Sequence, residues 1–172
     1  MTAAAALGGE AAAARAIELV HREAHLLDTR CWNEWLELYT PDCTFWVPAW
    51  RDANVPTNNP DAEISLIYHD SRVALEDRVT RLRSNKTVTA MPLPRTTHLI
   101  TGAIATAHGA DAMDVVANWS VMTYAPRTAA QHVLFGRYEH RLCMRDGEWR
   151  IQAKKILLMN DRVPTMLDFY CL

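Results

Sequence analysis

Asp146-Gly147 stands between two stretches of alternating apolar and polar residues, 131–145 and 148–160. Both residues tolerate positive φ, which a tight two-residue hairpin turn requires, so the two stretches are expected to pair antiparallel. The period is clearest in the first. Leu134, Tyr138, Leu142 and Met144 fall on one face, and Arg137, Glu139 and Arg141 on the other. Two further strand-like stretches, 97–107 and 114–125, flank a turn expected at Gly109-Ala110. Four long antiparallel strands at the end of the chain restrict the first half to whatever covers one face of their sheet.

That first half reads as helices. Ala13, Ile17, Val20, Ala24 and Leu27 recur at spacings of four and three, one apolar helix face. Asp28 or Thr29 is placed to cap a second helix carrying Trp32, Trp35, Leu36 and Tyr39, which Pro41 and Asp42 end. A short strand at 44–47 follows, then an aperiodic stretch with Pro and Asn at 48–61, and a weak strand at 63–68. Loops of that length tend to be functional or interfacial. Asp70 or Ser71 caps a third helix with Leu75, Val79 and Leu82 inward and Asp77 one turn from Arg81. Helices first and long strands after indicate an α+β fold, three N-terminal helices on a curved, mainly antiparallel sheet. No repeat or linker divides residues 1–172, so they are expected to form one domain.

Composition removes several function classes. The net charge is −2 with no basic run, so the footprint of nucleic-acid binding is missing. Apolar residues make up 49% of the chain, which argues for a folded core. No apolar stretch reaches the length of a membrane span. Residues 1–9 are alanine-rich without a positive n-region, and read as a loose tail rather than an export signal. The four cysteines, Cys31, Cys43, Cys143 and Cys171, are scattered among apolar neighbours and are expected to be buried free thiols in a cytoplasmic protein.

His21 and His25 lie one helical turn apart, but the glutamate between them is one position late for a zincin and no third ligand is near. His132 and His140 share a strand face at a separation of roughly 26 Å, too far to share an ion. His69, His98 and His108 occupy positions ordinary for satisfied or surface histidines. No cysteine precedes a histidine at cluster-binding spacing, and there is no dinucleotide fingerprint, phosphate loop or nucleophile elbow. No catalytic, cofactor-binding or metal residue is therefore assigned. Trp32, Trp35, Trp46 and Trp119 fall on inward faces, whereas Trp50 lies in the long loop beside Arg51. Trp50, Arg51 and Arg95 are the candidate partner-contact residues.

Several blocks carry a resemblance beyond this physics. They are Glu23-Ala24-His25-Leu26-Leu27-Asp28, Trp32-Asn33-Glu34-Trp35-Leu36, Tyr39-Thr40-Pro41-Asp42 and Phe45-Trp46-Val47-Pro48. Glu63 to Tyr68, Leu75 to Val79, Met91 to His98, Phe135-Gly136-Arg137 and Trp149-Arg150-Ile151 continue the series. Over nearly its whole length the chain resembles the small (β) subunits of aromatic-ring-hydroxylating, Rieske-type dioxygenases, most of all the benzoate, toluate and anthranilate branch. The resemblance implies a cystatin-like, nuclear-transport-factor-like cone. It also implies a structural role in a complex of three large (α) and three small subunits, with contacts to other β subunits as well. The Rieske iron-sulfur cluster and the mononuclear iron would sit on the large subunit, with electrons from NADH arriving through a reductase.

A reading of a different class stays open at this point. The same cone hosts stand-alone isomerases and dehydratases with acid–base residues inside it, and Asp28, Tyr39, His98 and Tyr138 could supply such a set. A homo-oligomeric binding module without chemistry is the third alternative.

Overall fold

The hairpin at Asp146-Gly147 forms as expected, with both residues at positive φ, 51° and 80°. It joins the two strands at the centre of the molecule. The computed structural model describes residues 3–84, 91–109, 111–164 and 166–172, and side chains from residue 9 onward. Three helices, α1 (Ala3–Asp28), α2 (Trp32–Glu37) and α3 (Arg72–Arg83), accompany six strands. The strands are β1 (Tyr39–Pro48), β2 (Ser65–His69), β3 (Arg95–Ala107), β4 (Ala112–Ala125), β5 (Ala130–Arg145) and β6 (Glu148–Leu158). They make one sheet in the order β2-β1-β6-β5-β4-β3. Every neighbouring pair is antiparallel except β1 with β6.

The inner face of this curved sheet receives α1, which lies against β3, β4 and β6, while α3 packs on β1 and β2. The expected helix stripe is right in outline. Ala16, Leu19, Val20, Leu26 and Leu27 are buried, and so is Glu23 in their midst. Across from them the sheet contributes Phe45, Val115, Val121, Leu134, Leu142, Ile151 and Ile156. Trp35 joins the halves of this core. Its indole stacks on Phe169 with centroids 4.8 Å apart and meets Tyr39 edge-on at 5.1 Å. Phe169 belongs to a short 3-10 turn, Phe169–Cys171, that closes one end of the interior.

Several expectations are corrected. The stretch read as a loose tail is helical from Ala3, because a run of alanines extends a helix that packing has already nucleated. Met1 and Thr2, and Ala110 of the expected 109–110 turn, lie outside the described residues. Asp28 ends α1 instead of capping α2, whose N-cap is Cys31 with no side-chain bond. Tyr39 opens β1 rather than closing α2. Ile151 donates its N–H to the Leu38 carbonyl at 2.8 Å, and this pairing with β6 converts the last expected helical turn into strand. Pro41 then falls where the β1–β6 register shifts, between Tyr39 and Thr44, a break that accommodates a residue without an N–H. Ser71 caps α3 as anticipated, but the ion pair on that helix is Arg72–Glu76, not Asp77–Arg81. Trp46 points outward, since Cys43, Phe45 and Val47 take the inner face. Its Nε1 donates to Ser65 Oγ at 2.8 Å on the outer side.

Gly136 marks the closest approach of two strands. A Cβ there would stand 1.8 Å from the Leu157 carbonyl oxygen and 3.3 Å from Trp119 Nε1. Only glycine lets β6 pass so near β5 while the Trp119 ring lies beneath.

Candidate functional site

Polar groups collect inside the cone, where a core usually holds none. Glu23 projects from the buried stripe of α1 and receives four donors. Lys154 Nζ is at 2.8 Å, His140 Nε2 at 3.2 Å and Trp35 Nε1 at 3.4 Å, and the Tyr39 hydroxyl completes the set with a very short hydrogen bond. Burial alone would raise the Glu23 carboxyl, but the Lys154 ammonium and the His140 contact hold it far below its ordinary value. Burial, with the same carboxylate beside it, drives the Tyr39 phenol well upward, and burial pushes His140 down. Lys154 also sits 4.2 Å over the Tyr138 ring. With its acceptor sites filled, Glu23 works as a buried anchor between helix and sheet.

A second carboxylate lies at the end of α1. Asp28 accepts from Thr96 Oγ1 at 2.9 Å, the His98 backbone N–H at 2.8 Å and His98 Nδ1 at 2.6 Å. Burial works against its ionisation, yet these hydrogen bonds prevail and lower its pKa. An ionised carboxylate only accepts, so His98 Nδ1 carries the proton and the ring orientation is fixed. His98 Nε2 is then turned into the interior. It has no partner among the described residues, and neither do Tyr138 Oη, Trp119 Nε1 or His140 Nδ1. A buried polar atom left unmatched costs about 1–3 kcal/mol.

The four pocket candidates thus divide. Asp28 and His98 are joined directly. Tyr39 belongs to the Glu23 anchor, and Tyr138 stands between the groups, stacked on Trp119 at 5.1 Å and edge-on to His140 at 5.5 Å. Glu23, His140 and Lys154 were not among the candidates. The available signal for Glu23 was its position inside the apolar stripe of α1. Lys154 was hidden by a register shift between Arg141 and Leu142 of β5, which exchanges the faces of β6 beyond Ile151 and turns Lys154 inward.

The candidate partner-contact residues are largely occupied within the chain. Trp50 is partly buried and donates to the Leu158 carbonyl at 2.7 Å, and Arg51 pairs with Glu63. Arg95 is exposed at the start of β3 and lies 5.7 Å over the Tyr124 ring. The outer face of β3, β4 and β5 is more apolar than that loop. Leu99, Ile104, Val116, Met122, Val133 and Phe135 are 40–62% exposed there. Leu99 and Phe135 flank Ser120 in one cross-strand row, with Met122 and Val133 adjoining in the next.

Among the described residues no group of three or more His, Cys, Asp or Glu side chains could hold a metal ion, and no helix is long and apolar enough to cross a membrane. The four cysteines are free thiols and only Cys31 is partly exposed. Burial raises Cys43 and Cys171 to about 12, so neither offers a thiolate. The donor set does not fit an iron-sulfur cluster or a mononuclear iron.

Residues 22–165 match the family described as ring hydroxylating beta subunit. The chain belongs to that family. It is 37% identical over 154 residues to the small subunit of 2-halobenzoate 1,2-dioxygenase from Burkholderia cepacia, covering 90% of this chain and 92% of the relative. The toluate 1,2-dioxygenase subunit beta of Pseudomonas putida is 36% identical over 89% of this chain and 93% of its own length. Among solved structures, the beta subunit of benzoate 1,2-dioxygenase from Burkholderia mallei superposes with a TM-score of 0.76 at 30% identity, over 92% of this chain and 96% of that one. A putative scytalone dehydratase from Novosphingobium aromaticivorans shares the cone alone, at 12% identity and a TM-score of 0.64 over 84% of this chain and 81% of that one. As a β subunit of this family the chain is part of a ring-hydroxylating dioxygenase, and a small oxygenase subunit implies a large one as partner.

Proposed function

We propose that this chain is the structural β subunit of the terminal oxygenase of a cytoplasmic, multicomponent dioxygenase acting on an aromatic carboxylate. The observation that carries this reading is the similarity, over about nine-tenths of the chain, to small subunits of halobenzoate and toluate dioxygenases. Three copies join three large subunits, and other β subunits are among its neighbours. The large subunit holds the Rieske cluster and the mononuclear iron, and a reductase supplies electrons from NADH. The donor chemistry of the interior supports this division, because its carboxylates are already saturated by ammonium, phenol, hydroxyl and imidazole groups.

Docking is assigned to the outer face of β3, β4 and β5, with Arg95 at its rim. A contiguous apolar surface on a soluble chain marks an interaction site more often than a lone loop side chain does. Trp50 and Arg51 act indirectly in this assignment, holding the loop that borders the sheet. To test the function, the chain is co-expressed with an oxygenase large subunit from the same organism and purified on a tag carried by the small one. The large subunit should co-purify, hold all the iron, and dihydroxylate benzoate in preference to an uncharged arene. Stoichiometric iron in the small subunit expressed alone would sink the proposal. So would hydroxylation of toluene in preference to benzoate, as far as the substrate class is concerned.

A further inference from the structure

Strand register aligns the outer face of β3, β4 and β5 into successive cross-strand rows. One row is Arg95-Tyr124-Gln131, and three rows on comes Thr101-Asn118-Arg137. Between them lie Thr97-Met122-Val133 and Leu99-Ser120-Phe135, whose exposed side chains form an apolar island. Residues 131 and 137 are six apart on β5, so about 20 Å along the strands separates the two bordering rows. A guanidinium therefore stands on each side of the island.

The charges of this face are unevenly distributed. Beyond Arg137 each cation has an anion within the chain: Lys155 faces Glu139 at 3.4 Å, and Arg141 pairs with Asp114. Asp161 and Arg162, just after β6, carry opposite charges. The four rows that make up the island and its borders hold two guanidiniums and no carboxylate. Both arginines are exposed, and neither has a carboxylate at ion-pair distance among the described residues. Arg95 rests over the Tyr124 ring, a contact that leaves guanidinium N–H groups for an acceptor.

This pattern selects among occupants. A second copy of the chain would bring the same guanidiniums to the contact and no carboxylate to meet them, and like charges across an interface disfavour pairing. An apolar surface without acids would close over two unmatched charges. An acidic surface satisfies both, since the guanidinium fork matches a carboxylate bidentately. We propose that the partner on this face carries two carboxylates about 20 Å apart on either side of an apolar protrusion, and that Arg95 and Arg137 each bind one. The bracket rests on the docking assigned above, so the partner is the large subunit.

The test is the dissociation constant of the co-expressed complex, read by sedimentation at about 50 mM and about 500 mM NaCl. Salt screens exposed charge pairs, so wild-type affinity should fall about tenfold or more between the two. The Arg95→Gln, Arg137→Gln double variant keeps its fold, because both side chains are exposed, and should bind about tenfold less tightly at low salt. It should also lose most of the salt dependence. Arg83→Gln removes a cation from α3, away from this face, and should match the wild type, which separates local pairing from net charge. Wild-type affinity independent of salt, or a double variant no weaker than Arg83→Gln, would overturn the bracket. The docking face would still stand in that case if Met122→Asp, Phe135→Asp separated the subunits. If that apolar variant assembled fully, docking itself would be wrong, and the bracket with it.

Discussion

Glu23 concentrates the electrostatic stakes of the fold in one side chain. Its carboxylate is buried with an ammonium, and removing one partner of such a pair leaves the other charge stranded. Glu23→Gln should therefore destabilise the chain by about 3–5 kcal/mol, measured by urea unfolding at neutral pH. The pH dependence has a definite sign. The folded-state pKa of Glu23 lies below its ordinary value of 4.5, so its contribution is complete above that pH and is withdrawn as pH falls. Asp28 is lowered as well and works in the same direction. Unfolding midpoints should drop from about pH 5 downward, and the drop should be shallower in Glu23→Gln. Trp35 is fully buried against Phe169 and Tyr39, so Trp35→Ala should cost about 3–5 kcal/mol, and an unchanged melting temperature would place it outside the core.

At the scale of elements, the long loop 49–64 is organised by one residue. Glu63 accepts from the Asn58 and Asn59 N–H groups and from Arg51, while Asp52 caps the Asn54 and Val55 N–H groups. Glu63→Ala should speed amide exchange at Asn58 and Asn59 while leaving the global unfolding midpoint within error. Gly136→Ala forces β5 and β6 apart and should cost about 1–3 kcal/mol, read from chemical denaturation. The elements also show why some of the fold was legible in sequence and some was not. Asp146-Gly147 was readable because the turn is a local matter of φ, and the strands on either side alternate cleanly up to the register shift. The α2–β1 boundary was not, because Tyr39 continues a helical spacing and only a hydrogen bond from distant Ile151 to the Leu38 carbonyl draws Tyr39 into the sheet. In the candidate site the same division holds. His98 and Tyr138 sit on strands whose period was visible, but strict alternation from Ile151 would put Lys154 outside. A single extra residue in β6, seen only in its pairing with β5, brings it in.

The whole molecule is a cone whose inner face is closed by its own helices and whose outer face is left apolar. The interior carries the stability, through the Glu23 anchor and the Trp35 contacts, and the proposed docking assigns association to the exterior. Partner loss without unfolding is thus expected from outer-face changes, and unfolding from inner ones. The most direct measurement is native mass spectrometry of the oxygenase co-expressed with either wild-type chain or a Met122→Asp, Phe135→Asp variant. The wild type should appear as a complex with the large subunit. The variant should have a wild-type circular dichroism spectrum and a melting temperature within a few degrees, since both side chains are exposed in the free chain, yet appear free of the large subunit. A folded variant that assembled fully would contradict the claim that this chain acts by docking through the outer face of its sheet.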